Sequence, residues 1–144
     1  AENADLAPFA ARGGKLIIVS GTQDSIVPYH STLDYYERLI ADTGSLDATR
    51  QFCRFYLIPG MKHGNGTAIP NMLFKVIEWR EKGIAPGEIE AKFRDGDAWS
   101  QPFPVYPYPE AASYDAATGK WSSAPGHRGT LDVIAPEFHL APKE

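Results

Sequence analysis

A single cysteine, Cys53, stands in the 144 residues, so no disulfide can close within the chain and nothing hints at a structural zinc site. Cys53 lies between Phe52 and Phe55-Tyr56, where a small buried hydrophobe is the ordinary reading. The other reading is a bridge to a segment outside these residues. Runs of one charge are also missing: the net charge is -4 and neither sign clusters, which excludes the basic patch of a nucleic-acid binder. No apolar stretch approaches the ~20 residues that span a bilayer, so a membrane is not an expected partner. The start, Ala1-Glu2-Asn3-Ala4-Asp5, lacks an initiator Met and a basic-then-apolar leader. Such a start is expected of a cleaved product or a cut boundary, and it leaves the compartment unread. What remains, 43% hydrophobic and 22% charged residues, is an ordinary globular mixture.

Residues 1–14 read as a polar lead-in closed by Gly13-Gly14. Leu16-Ile-Ile-Val19 shows no polar/apolar alternation, as in strands buried on both faces of a parallel sheet, and predicts a strand over about 15–20. A helix is predicted from Ser31 to Thr43, with Leu33, Tyr36, Leu39 and Ile40 on one face and Gly44 as its stop. Ser31 with Asp34 resembles a capping box. The polar stretch Ser45 to Gln51 returns the chain to a second strand over 52–58. Pro70 suits the first turn of a further helix reaching Lys82, with Leu73, Val76, Ile77 and Arg80 on one face and Gly83 and Pro86 at its end.

The order strand–helix–strand–helix is a parallel crossover unit and little more. Two strands and two helices leave a sheet edge uncovered, so further strands are expected from outside these residues. From Asp95 the character changes: seven of the twelve prolines lie beyond it, with Trp99, Phe103, Tyr106, Tyr108, Tyr114 and Trp121. The run Gln101 to Pro109 can be neither helix nor central strand. So many aromatics argue against disorder. The expectation is an irregular extended arm over 95–144 packed on the core, with Tyr106, Tyr108 and Trp121 mostly buried and Glu137 to Glu144 frayed. The alternative is a proline-rich ligand for a partner's groove.

Each predicted strand ends in a loop that carries one proton-handling side chain. Gly21-Thr-Gln-Asp24-Ser-Ile-Val-Pro28 follows the first, and Pro59-Gly-Met-Lys-His63-Gly-Asn-Gly66 follows the second. Open α/β sheets build their sites at that carboxyl edge. Neighbouring strands lie ~5 Å apart, so loops leaving them project side by side. Gly60, Gly64 and Gly66 give the histidine loop its freedom to turn. An acyl-transfer triad needs a carboxylate to orient an imidazole that takes a proton from serine. An acid followed by a histidine is the order of the last two triad members in α/β-hydrolases, where the serine comes first. No Gly-x-Ser-x-Gly occurs in the chain.

Asp24 alone also reads as a turn-forming side chain. The pair, each member after a strand and before a helix, points to catalysis. The expected architecture is therefore α/β: the carboxyl-terminal part of an α/β-hydrolase over 15–94, holding the last strands and helices of a mostly parallel sheet, with the arm behind it. His30 stands near the Asp24 loop and either lines a substrate site or is exposed at the start of its helix. His127 and His139 are expected at the surface. The spacing of Asp24, His30 and His63 offers no zinc signature, and neither metal nor cofactor is called for.

Several stretches together resemble the tannase and feruloyl esterase family. They are Gly13-Gly-Lys-Leu-Ile-Ile with Gly21-Thr-Gln-Asp24-Ser-Ile-Val-Pro28, Asp34-Tyr-Tyr-Glu-Arg38, and Phe55-Tyr-Leu-Ile-Pro-Gly-Met-Lys-His63-Gly. Trp79-Arg-Glu-Lys-Gly83-Ile-Ala-Pro86 and Tyr106-Pro-Tyr-Pro109 continue the series, which covers most of residues 5–115. The resemblance implies a secreted or periplasmic serine hydrolase of plant phenolic-acid esters, with an α/β-hydrolase core and a large lid inserted before this region. It implies Asp24 as triad acid and His63 as base. The serine, the oxyanion hole and the lid, with its calcium sites, would lie before Ala1. The expected partners are then a small ester and the amino-terminal portion of the same protein. Many members carry a cysteine directly after the catalytic histidine, bridged to one beside the nucleophile; Gly64 stands there instead. That marks a divergent branch and leaves the ester open. Two other functional classes stand beside this one: a degenerate hydrolase that binds without catalysis, and an interaction piece docking through its proline-rich arm.

Overall fold

The computed structural model describes residues 3–64, 66–126 and 128. Strand β1, Leu16–Gly21, and strand β2, Cys53–Ile58, pair in parallel from Leu16↔Cys53 to Gly21↔Ile58. Successive β2 side chains enter two different cores. Cys53 and Phe55 pack with Leu33, Tyr36, Leu39 and Ile40 of helix α2, Tyr29–Thr43. Tyr56 and Ile58 pack on the other side with Ile89, Ala91 and Val105. An apolar run without alternation is what two buried faces require. Cys53 is free and fully buried, and burial pushes its thiol up to about 12.

Helix α2 begins at Tyr29, two residues before the predicted start, after Pro28 and with no side-chain cap. The capping box is not formed: the Ser31 hydroxyl donates to the Pro28 carbonyl, and Asp34 pairs with Arg38 one turn on at 3.0 Å. The stop at Gly44 is in place, with φ 92°. Two short helices occupy stretches read as plain connections. Helix α1, Ala7–Ala11, lies in the lead-in, where Leu6 and Phe9 find apolar cover on the core. Helix α3, Leu46–Arg50, replaces the polar return; Ser45 caps it by accepting from Ala48 N, and Thr49 is buried.

After a two-residue strand β3, Thr67–Ala68, helix α4 spans Met72–Lys82. Its cap is Asn71, which accepts from Leu73 N at 3.0 Å, so Pro70 precedes the helix instead of opening its first turn. The predicted apolar face is also displaced. Leu73 is 62% exposed and Ile77 38%, while Trp79 is 3%. The inward stripe is Met72, Val76 and Trp79, spaced i, i+4, i+7. The Trp79 ring lies beneath the Lys15 ammonium and the Arg54 guanidinium at 5.0 and 5.6 Å. Cationic stems thus cover an indole that sequence periodicity assigned to another face.

The arm is less irregular than predicted. Strand β4, Ile89–Asp95, runs across the expected boundary at 94. It pairs antiparallel with β3, with β5 (Ala98–Trp99) and with β6 (Phe103–Val105). Pro104 fits inside β6 because that strand pairs with β4 alone and sits at an edge. Strands β7, Ala111–Asp115, and β8, Lys120–Ala124, form a hairpin. Tyr108 is buried, its N–H donating to Phe55 O and its hydroxyl to Glu37 at 2.6 Å. Tyr106 is only half-buried and Trp121 is 44% exposed. The Trp121 ring is shielded by its cross-strand partner Tyr114 at 4.9 Å instead of by the core. Arg50 holds the arm down through one nitrogen, Nη2, which donates to Pro107 O, Tyr108 O and Glu110 Oε1 within 3.1 Å. His127, His139 and the stretch from Glu137 to Glu144 lie outside the described residues.

Candidate active site

The parallel register sets Gly21 beside Ile58, so the loops after β1 and β2 leave the same sheet edge together. Their main chains then bond to each other. Thr22 N donates to Ile58 O at 3.1 Å and Gln23 N to Met61 O at 3.1 Å. Gly60 N donates to Thr22 Oγ1 at 2.8 Å. Gly21 must be glycine for this approach: a Cβ there would overlap the Met61 carbonyl.

Within that frame Asp24 and His63 meet, Oδ2 to Nδ1 at 2.9 Å. The other carboxylate oxygen, Oδ1, accepts from Ile26 N at 2.9 Å and Val27 N at 2.8 Å. Asp24 therefore closes its own turn with one oxygen and holds the imidazole with the other. Its carboxyl is held below the usual carboxylate range, first by the Val27 N–H; partial burial opposes this, and the bonds from His63 and Ile26 add to it. Only 12% of the Asp24 side chain is exposed against 48% for His63. Among the described residues Nε2 of His63 has no hydrogen-bond partner. With Nδ1–H donating to the Asp24 carboxylate, Nε2 is left as the acceptor, which is the state a general base needs.

His30 is not brought into this set. It lies half-buried in the first turn of α2, its ring 3.9 Å from that of Tyr29, with no hydrogen bond to Asp24 or His63. Among the described residues no three of His, Cys, Asp and Glu converge as metal ligands. No helix there is long and apolar enough to cross a membrane. A concavity of about 1000 Å³ opens between the β4–β6 sheet and the β7–β8 hairpin; it reaches Thr22 and Pro59 but neither Asp24 nor His63. Gly64 follows His63 with φ 85°, a conformation that a cysteine would adopt only under strain.

The family described as tannase and feruloyl esterase matches residues 1–125. The chain belongs to that family. It is similar to the mono(2-hydroxyethyl) terephthalate hydrolase of Piscinibacter sakaiensis, 37% identical over 127 residues, covering 79% of this chain and 19% of the relative. A probable feruloyl esterase B-2 of Aspergillus terreus is 35% identical over 114 residues, covering 65% of this chain and 21% of its own length. The chain thus spans about a fifth of the curated relatives it matches. Two solved structures share the fold. Feruloyl esterase B from Aspergillus oryzae aligns with TM-score 0.72 at 24% identity over 85% of this chain and 29% of its own. Tannin acyl hydrolase from Aspergillus niger aligns with TM-score 0.72 at 23% over 84% and 24%. The mixed strands and helices here follow the pattern of both.

Sequence reasoning reached Asp24 and His63 but passed over what aligns them. The sequence assigns Gly21 and Thr22 no role, and the register shows them as the joint between the two loops. Gly21 directly after an apolar run was the available signal, because glycine at a strand end marks close backbone approach.

Proposed function

We propose that the protein to which these residues belong is a serine carboxylic-ester hydrolase acting on phenolic-acid esters of tannin or feruloyl type. Residues 15–94 form the carboxyl-terminal part of its α/β-hydrolase core, and the partner of this part is the amino-terminal portion of the same protein. The observation that carries the reading is the 2.9 Å contact of Asp24 Oδ2 with His63 Nδ1, with Nε2 left open. In this reading a serine from outside these residues presents its hydroxyl to Nε2. His63 takes the proton as the oxygen attacks the ester carbonyl, and Asp24 stabilises the imidazolium through Nδ1–H. Collapse of the tetrahedral intermediate expels the alcohol, which receives the proton from Nε2. Water, deprotonated by the same nitrogen, then releases the phenolic acid. Neither serine nearest the pair stands at the strained strand-to-helix elbow of a nucleophile: Ser31 lies in α2 and donates to Pro28 O, and Ser25 is exposed in the turn that Asp24 closes, with no positive φ at either. The 144-residue chain alone is accordingly inactive. Secretion or periplasmic export belongs to the same proposal and rests on the family resemblance.

The test is His63→Ala in the full-length protein, assayed on a methyl ester of a phenolic acid. Turnover should fall by roughly 10⁴-fold or more, since triad members act as a unit. Wild-type turnover in that variant, or saturable hydrolysis by residues 1–144 alone, would place the site elsewhere.

A further inference from the structure

We infer that Thr22 is a positioning residue for the His63 loop, acting through the hydrogen bond that its Oγ1 accepts from Gly60 N at 2.8 Å. The inference rests on the ester-hydrolase reading and extends it to a side chain outside the triad. Gly60 lies in the His63 loop, two residues past β2. Its φ is +75°, and on its far side the Phe93 ring leaves a Cβ only 3.2 Å of room. Phe93 is in turn stacked on Phe103 at 4.9 Å. Gly60 is thus clasped between a hydroxyl of the Asp24 loop and an aromatic pair from β4 and β6. Met61 is tied separately, through its carbonyl, to Gln23 N.

These bonds fix the separation of the two loops upstream of Asp24 and His63. Among the described residues neither His63 nor Gly64 makes a further hydrogen bond: His63 is exposed, and a Cβ on Gly64 would meet nothing within 4 Å. Removing the Thr22 acceptor lets the Gly60 peptide rotate and carries Nε2 off line. In this reading Thr22 acts on the loop and not on the ester, so binding is spared while turnover falls.

The experiment uses the full-length protein with Thr22→Val, Thr22→Ser and His63→Ala, steady-state kinetics on a phenolic methyl ester, and the downfield imidazole N–H proton resonance of His63. The expected result for T22V is a drop in kcat of about ten- to a hundredfold, the scale of an ångström-level misplacement. KM should stay within about twofold, and the resonance should weaken or broaden. T22S, which keeps the acceptor, should restore kcat and the resonance. Unchanged kcat and resonance in T22V, a change confined to KM, or a T22S variant as poor as T22V would each overturn the inference. Thr22→Ala removes the acceptor without placing a methyl against the Gly60 N–H, and it reads the same quantities if T22V does not fold. Failure of both to fold beside an active T22S would make Thr22 a folding residue and also overturn it. Retained activity in H63A would instead sink the hydrolase reading, whatever Thr22 does.

Discussion

Asp24→Asn separates the two jobs that the carboxylate performs. Asparagine has the same shape, and its carbonyl oxygen can keep accepting from Ile26 N and Val27 N at the Oδ1 position, so the turn survives. The amide nitrogen then occupies the Oδ2 position, 2.9 Å from His63 Nδ1. An NH₂ group donates and cannot accept. Nδ1 must therefore give up its proton and become the acceptor, which moves the imidazole proton to Nε2. A protonated Nε2 cannot deprotonate serine, and no carboxylate remains to stabilise the imidazolium. Loss of the orienting carboxylate with geometry preserved costs about 10⁴-fold in kcat in a serine protease triad, and a similar factor is expected here. The assay is kcat on a phenolic methyl ester in the full-length protein, beside the thermal melting curve. D24N with wild-type kcat would refute the tautomer argument. D24N that melts far below the wild type would refute the claim that the turn is kept.

The depressed pKa of Asp24 sets a pH dependence. A carboxylate lowered on folding stabilises the loop above its ordinary value of 3.8, and that support is lost as pH falls through the lower folded value; carbon-detected titration of the Asp24 carboxyl should show a midpoint under 3.8, and one above it would contradict the turn geometry. Arg50→Ala should cost about 1–3 kcal/mol, because it removes the guanidinium's bonds to Pro107 O, Tyr108 O and Glu110 of the arm; faster proteolysis within 95–126 would report the arm's release, and an unchanged melting curve would refute its role as anchor. In the full-length enzyme, His30→Ala should leave kcat within about twofold, since no hydrogen bond ties it to the pair; a loss comparable to that of H63A would assign it a catalytic part.

How far the sequence could be read depended on whether a signal was local or created by the register. Leu16-Ile-Ile-Val19 declared itself through unbroken apolarity, Phe52 to Ile58 through an apolar run interrupted only by Arg54, and Gly44 and Gly83 through the left-handed turn that each helix end requires. Helix α3 escaped because five residues carry too little periodicity, although Ser45, Asp47 and Arg50 spell a cap and both dipole ends. The face of α4 was misjudged because Trp79 is roofed by the Lys15 and Arg54 cations, cover that a count of hydrophobic residues does not register. In the arm, proline argued against strands, yet β6 is an edge that needs no donor from Pro104. Trp121 was expected inside because of its size, but its neighbour across the hairpin supplies the cover.

Asp24 shows why local and functional readings of one residue need not compete. In Gly21-Thr-Gln-Asp24 an aspartate is equally suited to close a turn or to serve a triad, and sequence alone sets the two against each other. A carboxylate has two oxygens, however, and only one is consumed by the Ile26 and Val27 amides. Those amides lower the carboxyl pKa and fix the direction of the second oxygen, which is what an imidazole partner requires. The turn is thus the means by which the carboxylate is aimed. The same economy applies at Thr22, whose main chain continues the β1–β2 ladder while its hydroxyl holds the next loop. Function in this site is carried by side-chain atoms left over once the backbone has been satisfied, and those atoms become visible only when two strands, 37 positions apart in the pairing Leu16↔Cys53, are laid side by side.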